Sequence, residues 1–341
     1  MDDTTTIRVT SPADLLALVP SVLGFHPEDS LVLVCLGGAS LHARVDLPTG
    51  AEECAAVAEV LLQAVARNGG DRVLLVAYTD DHGAAQDAVT AVVDAGTGAA
   101  EVAGAVRADG SRWFRLAVPS HPVPVGDPGT PYDLSCHPLT ARAVLGGRVT
   151  LGNRAELART LRPDPAEVRR VARAIGDCED RWEETLTGRD WADPAEVLLT
   201  RLDAEARWVN ARVRRHLDDR QRLSAAHAAR LLLAIGLTLR IRDAAWAELT
   251  RDNAEAHVEL WRDLLRRAPD DLAAPPAALL AFSAWQAGHG ALAWCAVDRC
   301  READPSYTLA DLVADALEGA VPPRAWTPMT RGSLGIEGLV G

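Results

Sequence analysis

The chain has 341 residues, 48% hydrophobic and 24% charged, which is the balance of a folded soluble protein with room for two domains. Its net charge of −13 argues against phosphate-backbone binding, so no nucleic-acid partner is expected. No apolar run is long enough to span a bilayer, and the opening MDDTTTIRVT is too acidic and polar for a signal peptide, so a cytoplasmic protein with no membrane partner is expected.

Ser11-Pro12-x-Asp14 opens a short helix, with Ser as N-cap and Pro in the first turn. Residues 31–36 form a continuous apolar strand, Gly37-Gly38-Ala39-Ser40 turns the chain, and 41–47 alternates with period two. In that second strand His42, Arg44 and Asp46 share the polar face, and the pair reads as a hairpin. Thr49-x-x-Glu52 has the spacing of a capping box for a helix running to about Arg67, stopped by Asn68-Gly69-Gly70. A strand over 72–79 and a helix near 83–94 follow, and strands 102–107 and 112–118 are joined across Asp109-Gly110. This β-β-α-β-α-β-β order predicts a mixed sheet with a parallel centre. Residues 119–135 hold five prolines and read as a surface loop.

From His137 onward the patterning is helical. Helices are expected near 138–146, 154–161, 164–187, 194–218, 224–250, 254–268, 276–287, 290–303 and 308–319, with Asn153, Asp164, Asp193, Ser224 and Asn253 as caps. Residues 228–241 are apolar on most sides and should run through the centre. Eight of nine tryptophans follow residue 180, which predicts the larger aromatic core there. Residues 279–305 look like one tetratricopeptide-type helical hairpin, with Gly288 and Gly290 at its turn, although no second copy stands at that period. The expected organisation is an α/β domain over 1–135, an α-helical domain over 136–326 and a disordered tail over 327–341.

The six cysteines include no C-x-x-C, and reduced core thiols are the simplest reading. The chain has no lysine, so every Lys/Arg position is arginine, a sign of GC-rich codon usage, and the acid excess is uneven: −9 over residues 1–150 and −4 over 151–341. Arginines 207, 212, 214, 215, 220 and 222 form a local basic patch interleaved with acids, either a solvated helix face or a surface for an acidic partner. In Ser135-Cys136-His137, Ser135 or Asp133 is expected to cap the next helix; a thiol beside a base is the sharper alternative. No Walker A, G-x-G-x-x-G or G-x-S-x-G pattern is present, and the sequence implies no cofactor.

Helical crossovers make strands 41–47, 72–79 and 102–107 run the same way, and ligands of such sheets favour the carboxyl edge. That edge carries Asp46, Thr49, Asp80, Asp81 and His82, and the antiparallel strand 31–36 begins there, bringing His26, Glu28 and Asp29. The cluster could hold a small ligand, or a cation through His26, Asp29, Asp80 and His82. The same residues also suit helix caps and turns.

The runs LLALVPSVLGFHPEDSLVLV and ARVDLP resemble the actinobacterial domain-of-unknown-function 4192 family, as do RWF at 112–114, GTPYDLSCHPLTARAVLGGRVTLGNRAEL at 129–157 and the segment 259–305. That resemblance implies no activity. Members often carry a cysteine cluster between the RW and GTPYD motifs; here RLAVPSHPVPVGDP has none, so a family thiol or zinc role does not transfer. The expected function is that of a non-catalytic ligand-binding or regulatory protein, with a protein partner on the helical domain. The alternative is a metal-dependent hydrolase at the sheet edge.

Overall fold

The computed structural model describes residues 8–328 except 38–40, 98–99, 124–125, 146–148, 188–193 and 248. Two compact units are present: one holds the chain up to Leu157 together with Gly319–Pro322, the other Ala158–Glu318 and the chain from Pro323.

The first unit is built on a mixed six-stranded sheet. Its elements are α1 (Pro12–Leu23), β1 (Ser30–Leu36), β2 (His42–Asp46), α2 (Ala51–Arg67), β3 (Arg72–Tyr78), α3 (His82–Ala95), β4 (Glu101–Ala108), β5 (Arg112–Arg115), β6 (Thr130–Pro131), α4 (Pro138–Leu145) and the start of α5 (Arg154–Arg159). Strand order is β2-β1-β3-β4-β5-β6. β1 is antiparallel to both β2 and β3, and β3 and β4 form the parallel pair. The expected directions are therefore observed, with β2, β3 and β4 running the same way. Gly37 has φ of 89°, and the rest of the Gly37–Ser40 turn lies outside the described residues.

Helices α2 and α3 pack on one face through Cys54, Ala58, Leu61, Ala85, Ala88 and Val92. α1 covers the other face through Leu15, Leu16, Leu18 and Val19, which meet Val32, Val34, Val76 and Val106. The two crossover helices thus share a face, and the strand order advances from β1 through β3 to β4 without reversing. The sheet has no switch point in this stretch, the feature that opens a crevice at a carboxyl edge.

Local chemistry explains most element ends. Ser11 and Asp14 form a reciprocal capping box on α1, with Pro12 in its first turn. The box expected at Thr49 is shifted: Gly50 is the N-cap of α2 and makes no side-chain cap bond, while Glu53, not Glu52, reaches back to the Thr49 amide (2.7 Å) and hydroxyl (3.1 Å). Asp109 closes the β4–β5 hairpin by accepting from the Ser111 and Arg112 amides at 2.9 and 2.7 Å. The segment 119–135 is not wholly loop, because Thr130 and Pro131 pair with β5 as an edge strand, where Pro is tolerated.

The second unit is helical: α6 (Pro165–Thr187), α7 (Pro194–Asp219), α8 (Ala225–Leu237), α9 (Leu239–Trp246), α10 (Ala254–Arg267), α11 (Ala274–Gln286), α12 (Gly290–Ala303) and α13 (Thr308–Glu318). The single helix expected over 224–250 is two. Thr238 adopts extended backbone and its hydroxyl accepts from the Ile241 amide at 3.3 Å, so it ends α8 and caps α9. Asn153, Asp164 and Ser224 cap as expected. Asn253 does not: its side chain accepts from Thr250 behind the helix. The expected Asp193 cap and the tail from 329 onward lie outside the described residues.

α8 is buried along Ala228, Ala229, Leu231, Leu232, Ala234 and Ile235. α11 goes further, with every residue from Ala274 to Gln286 buried. α11 and α12 form the expected hairpin, closed at Gly288 (φ 82°) and packed through the fully buried Ala293 and Ala296. Trp246, Phe282, Trp285 and Trp326 form an aromatic cluster in this unit, with ring centroids of neighbours 4.5–5.5 Å apart.

Candidate functional site

The register fixes the candidate edge. Ser30 lies opposite Asp46 on one side and Tyr78 on the other, and Tyr78 lies opposite Ala108. At about 4.8 Å per strand, the row from Asp46 to Ala108 spans roughly 14 Å. His26–Asp29 enter at this edge, and Leu47–Gly50 and Thr79–His82 leave from it. The two sequence segments predicted to meet therefore do share one sheet edge.

The side chains within that edge divide into structural and exposed groups. His26 is exposed; its amide donates to the Leu151 carbonyl at 2.9 Å, and the neighbouring Phe25 bridges to Leu151. Glu28 is exposed, and its carbonyl accepts from the Ser30 hydroxyl. Asp29 is exposed with φ of 41°, a left-handed turn that lets its carbonyl accept from the Leu47 amide at 2.8 Å. Asp46 pairs with Arg44 at 2.7 Å, and Arg44 also donates to the Ser30 hydroxyl at 2.9 Å. Thr49 is held by Glu53. Asp81 caps α3 by accepting from the Ala84 amide at 3.0 Å. Asp80 and His82 are exposed.

Beneath this edge lies Arg107, which the sequence reading did not single out. It is 7% exposed, its guanidinium carbon stands 4.0 Å from the Phe114 ring centroid, and one nitrogen donates to the carbonyls of Thr79 (3.0 Å) and Asp80 (3.2 Å). It fastens the β3–α3 turn that carries Asp80, Asp81 and His82. The available signal was a charge near the carboxyl end of an otherwise apolar strand. Its field also reaches Asp109. Burial pushes that carboxyl up, but amide bonds from Arg112 and Ser111, with Arg107 adding, hold it below the ordinary value.

No side-chain hydrogen bond or ion pair among the described residues joins His26, Glu28 or Asp29 to Asp80, Asp81 or His82. Nor do any three His, Cys, Asp or Glu among them gather closely enough to hold a metal ion. An open groove of this unit lies at the opposite edge, lined by Asp71, Val93, Thr97, Glu101, Val102 and Ser120.

The polar face of β2 is not wholly solvated. His42 Nδ1 is buried without a partner among the described residues, and burial lowers the imidazole's affinity for a proton. The Ser135-Cys136-His137 run resolves differently from expectation. Asp133 accepts from the Ser135 amide, and the cap of α4 is His137 itself, whose Nδ1 accepts from the Leu139 amide at 3.3 Å. An accepting Nδ1 leaves the proton on Nε2, which stands 3.3 Å from Asp14. Asp14 is held at about 2, first by Thr10's amide and then by its hydroxyl. Both nitrogens of His137 are thus occupied by structural partners rather than by the adjacent thiol.

A family model described as a domain of unknown function (DUF4192) matches residues 12–324. No curated protein and no solved structure matches the chain.

Proposed function

The chain belongs to the DUF4192 family, and on that premise we propose a non-catalytic ligand-binding or regulatory protein that recognises a cationic partner at the carboxyl edge of its sheet. One observation carries this reading: His26, Glu28, Asp29, Asp80 and His82 are all exposed, on an edge that has no switch-point crevice. Catalytic acids, bases and metal ligands act from desolvated, preorganised positions, whereas an open row of charges suits recognition at a surface. Glu28, Asp29, Asp80 and Asp81 make that row predominantly negative, Asp46 being paired with Arg44. A second protein partner on the helical unit belongs to the same proposal. Six free cysteines, five of them buried, support a reducing cytoplasm, and the net charge of −13 disfavours nucleic acid. The arginine-only basic complement supports the GC-rich, actinobacterial origin.

The test compares proteins captured from a native lysate by the wild-type chain and by a Glu28→Arg/Asp80→Arg variant. A partner held by the wild type and released by the variant is expected; equal capture overturns the edge as the binding surface. Calorimetric titration with magnesium, manganese and zinc is expected to be flat. Saturable binding lost in Asp80→Asn would replace this reading with a metal-dependent hydrolase.

A further inference from the structure

The arginine-rich end of α7 is not a uniformly neutralised face. Arg220 pairs with Glu259 at 2.8 Å, and Arg222 with Asp263 at 2.8 Å and Glu167 at 3.1 Å. Arg215 reaches Asp219 at 3.4 Å, and Arg207 and Arg214 are exposed. Arg212 is different. It is half-buried, its Nε is buried without a hydrogen-bond partner, and no carboxylate lies within ion-pair distance among the described residues. Its Nη2 stands 3.3 Å from His227 Nε2 on α8, so the imidazole accepts and is neutral.

The neighbours concentrate positive charge around this pair. Arg230, also on α8, lies 4.1 Å from the Trp208 ring and forks onto Glu205 with two 3.1 Å bonds, which consumes that carboxylate. Arg212 lies 5.8 Å from the same ring, and Trp208 and His227 have centroids 6.3 Å apart. Three guanidiniums, Arg212, Arg215 and Arg230, thus face two carboxylates, Glu205 and Asp219, and the unmatched charge sits at Arg212. Burial holds the His227 imidazole down first, and Arg212, Arg230 and Arg215 add to it. Arg212 is lowered in the same way, by burial and then by Arg215.

From this geometry we propose that Arg212, Arg215 and His227, beside Trp208, form a binding site for a dianionic phosphate group. A dianion supplies the missing counter-charge to Arg212 and favours protonation of His227 at Nε2, which then gives up its bond from Arg212 and becomes a further donor to the anion. A carboxylate carries one charge and two oxygens, so it matches two guanidiniums and an imidazolium less well than a dianion with three. The guanidinium fork suits phosphate oxygens, and a partly desolvated position strengthens the contact. The site lies within the helical unit and does not depend on the sheet-edge reading.

The test titrates the full chain with inorganic phosphate, and in parallel with sulfate, which is a dianion throughout the working range. One saturable site is expected by calorimetry, and saturating sulfate is expected to raise the titration midpoint of the His227 ring protons in NMR spectra. Arg212→Gln should weaken phosphate about tenfold, the loss of one charge-assisted contact, while Arg207→Gln should leave affinity unchanged. A flat titration of the wild-type chain, an unmoved His227 midpoint, or equal weakening by Arg207→Gln overturns the proposal. The His227 readout uses the wild-type chain, so it decides the matter even if Arg212→Gln fails to fold.

Discussion

His257 is fully buried in the helical unit, and neither ring nitrogen meets a hydrogen-bond partner among the described residues. Burial first, then His216 and Arg220, lowers its pKa to about 3 from the ordinary 6.5. The sign of the consequence is fixed. Below 6.5 the unfolded chain gains a proton that the folded chain refuses, so stability falls as pH drops from 6.5 towards 3. The slope is about 1.4 kcal/mol per pH unit for one such group. His257→Phe should flatten that decline, measured by urea unfolding at pH 7 and pH 5; an unchanged decline would assign the acid sensitivity elsewhere. His137 shows the other side of residue-scale reading. Its place beside Cys136 suggested a base next to a thiol, yet both of its nitrogens are taken by Leu139 and Asp14. Asp14 is 123 positions away along the chain, and no local pattern announces that contact.

At the scale of elements, the sequence was most readable where one short segment supplies both the signal and its partner. Ser11 with Asp14, Asp81 with Ala84, and Asp109 with Arg112 are bonds across three residues, and each boundary follows from them. Thr238 was missed because apolar patterning continues through it, and a capping threonine inside such a run looks like an ordinary helix residue. Thr238→Ala should cost about 1 kcal/mol through the lost cap on α9, read as a lower urea midpoint with unchanged slope. A neutral substitution would mean that packing alone sets the break. Arg107 was missed for another reason: its partners, Thr79 and Asp80, lie 28 and 27 residues earlier and meet it only because β3 and β4 pair in parallel.

Across the whole molecule, the first unit is completed by a piece of chain from beyond residue 318. Asn68, at the end of α2, is 7% exposed and donates from its side-chain amide to Ala64 and, at 3.0 Å, to the carbonyl of Ala320. Arg67 donates to the carbonyl of Gly319. Asn68→Ala removes a buried donor that satisfies two carbonyls, so it should destabilise the first unit by about 1–3 kcal/mol. Hydrogen exchange in β3 and β4 is the measurement, and unchanged protection there would show that the 319–322 segment is dispensable. In sequence, Asn68-Gly69-Gly70 reads only as a helix stop, because a contact 252 residues away leaves no periodic trace.

Apart from the two-residue β6, the strands, most helices, the strand directions and the shared edge of His26–Asp29 with Asp80–His82 could be read from the residues alone. Those follow from hydrophobic period, turn chemistry and the handedness of crossovers, which act over a few residues or on whole elements. Which polar atoms meet could be seen only in the folded chain: Arg107 under the β3–α3 turn, His137 on Asp14, Arg212 on His227 without a carboxylate. Hydrogen bonds and ion pairs need partners within about 3–4 Å at defined angles. Distances of that order are set by packing between elements, and the order of residues along the chain does not contain them.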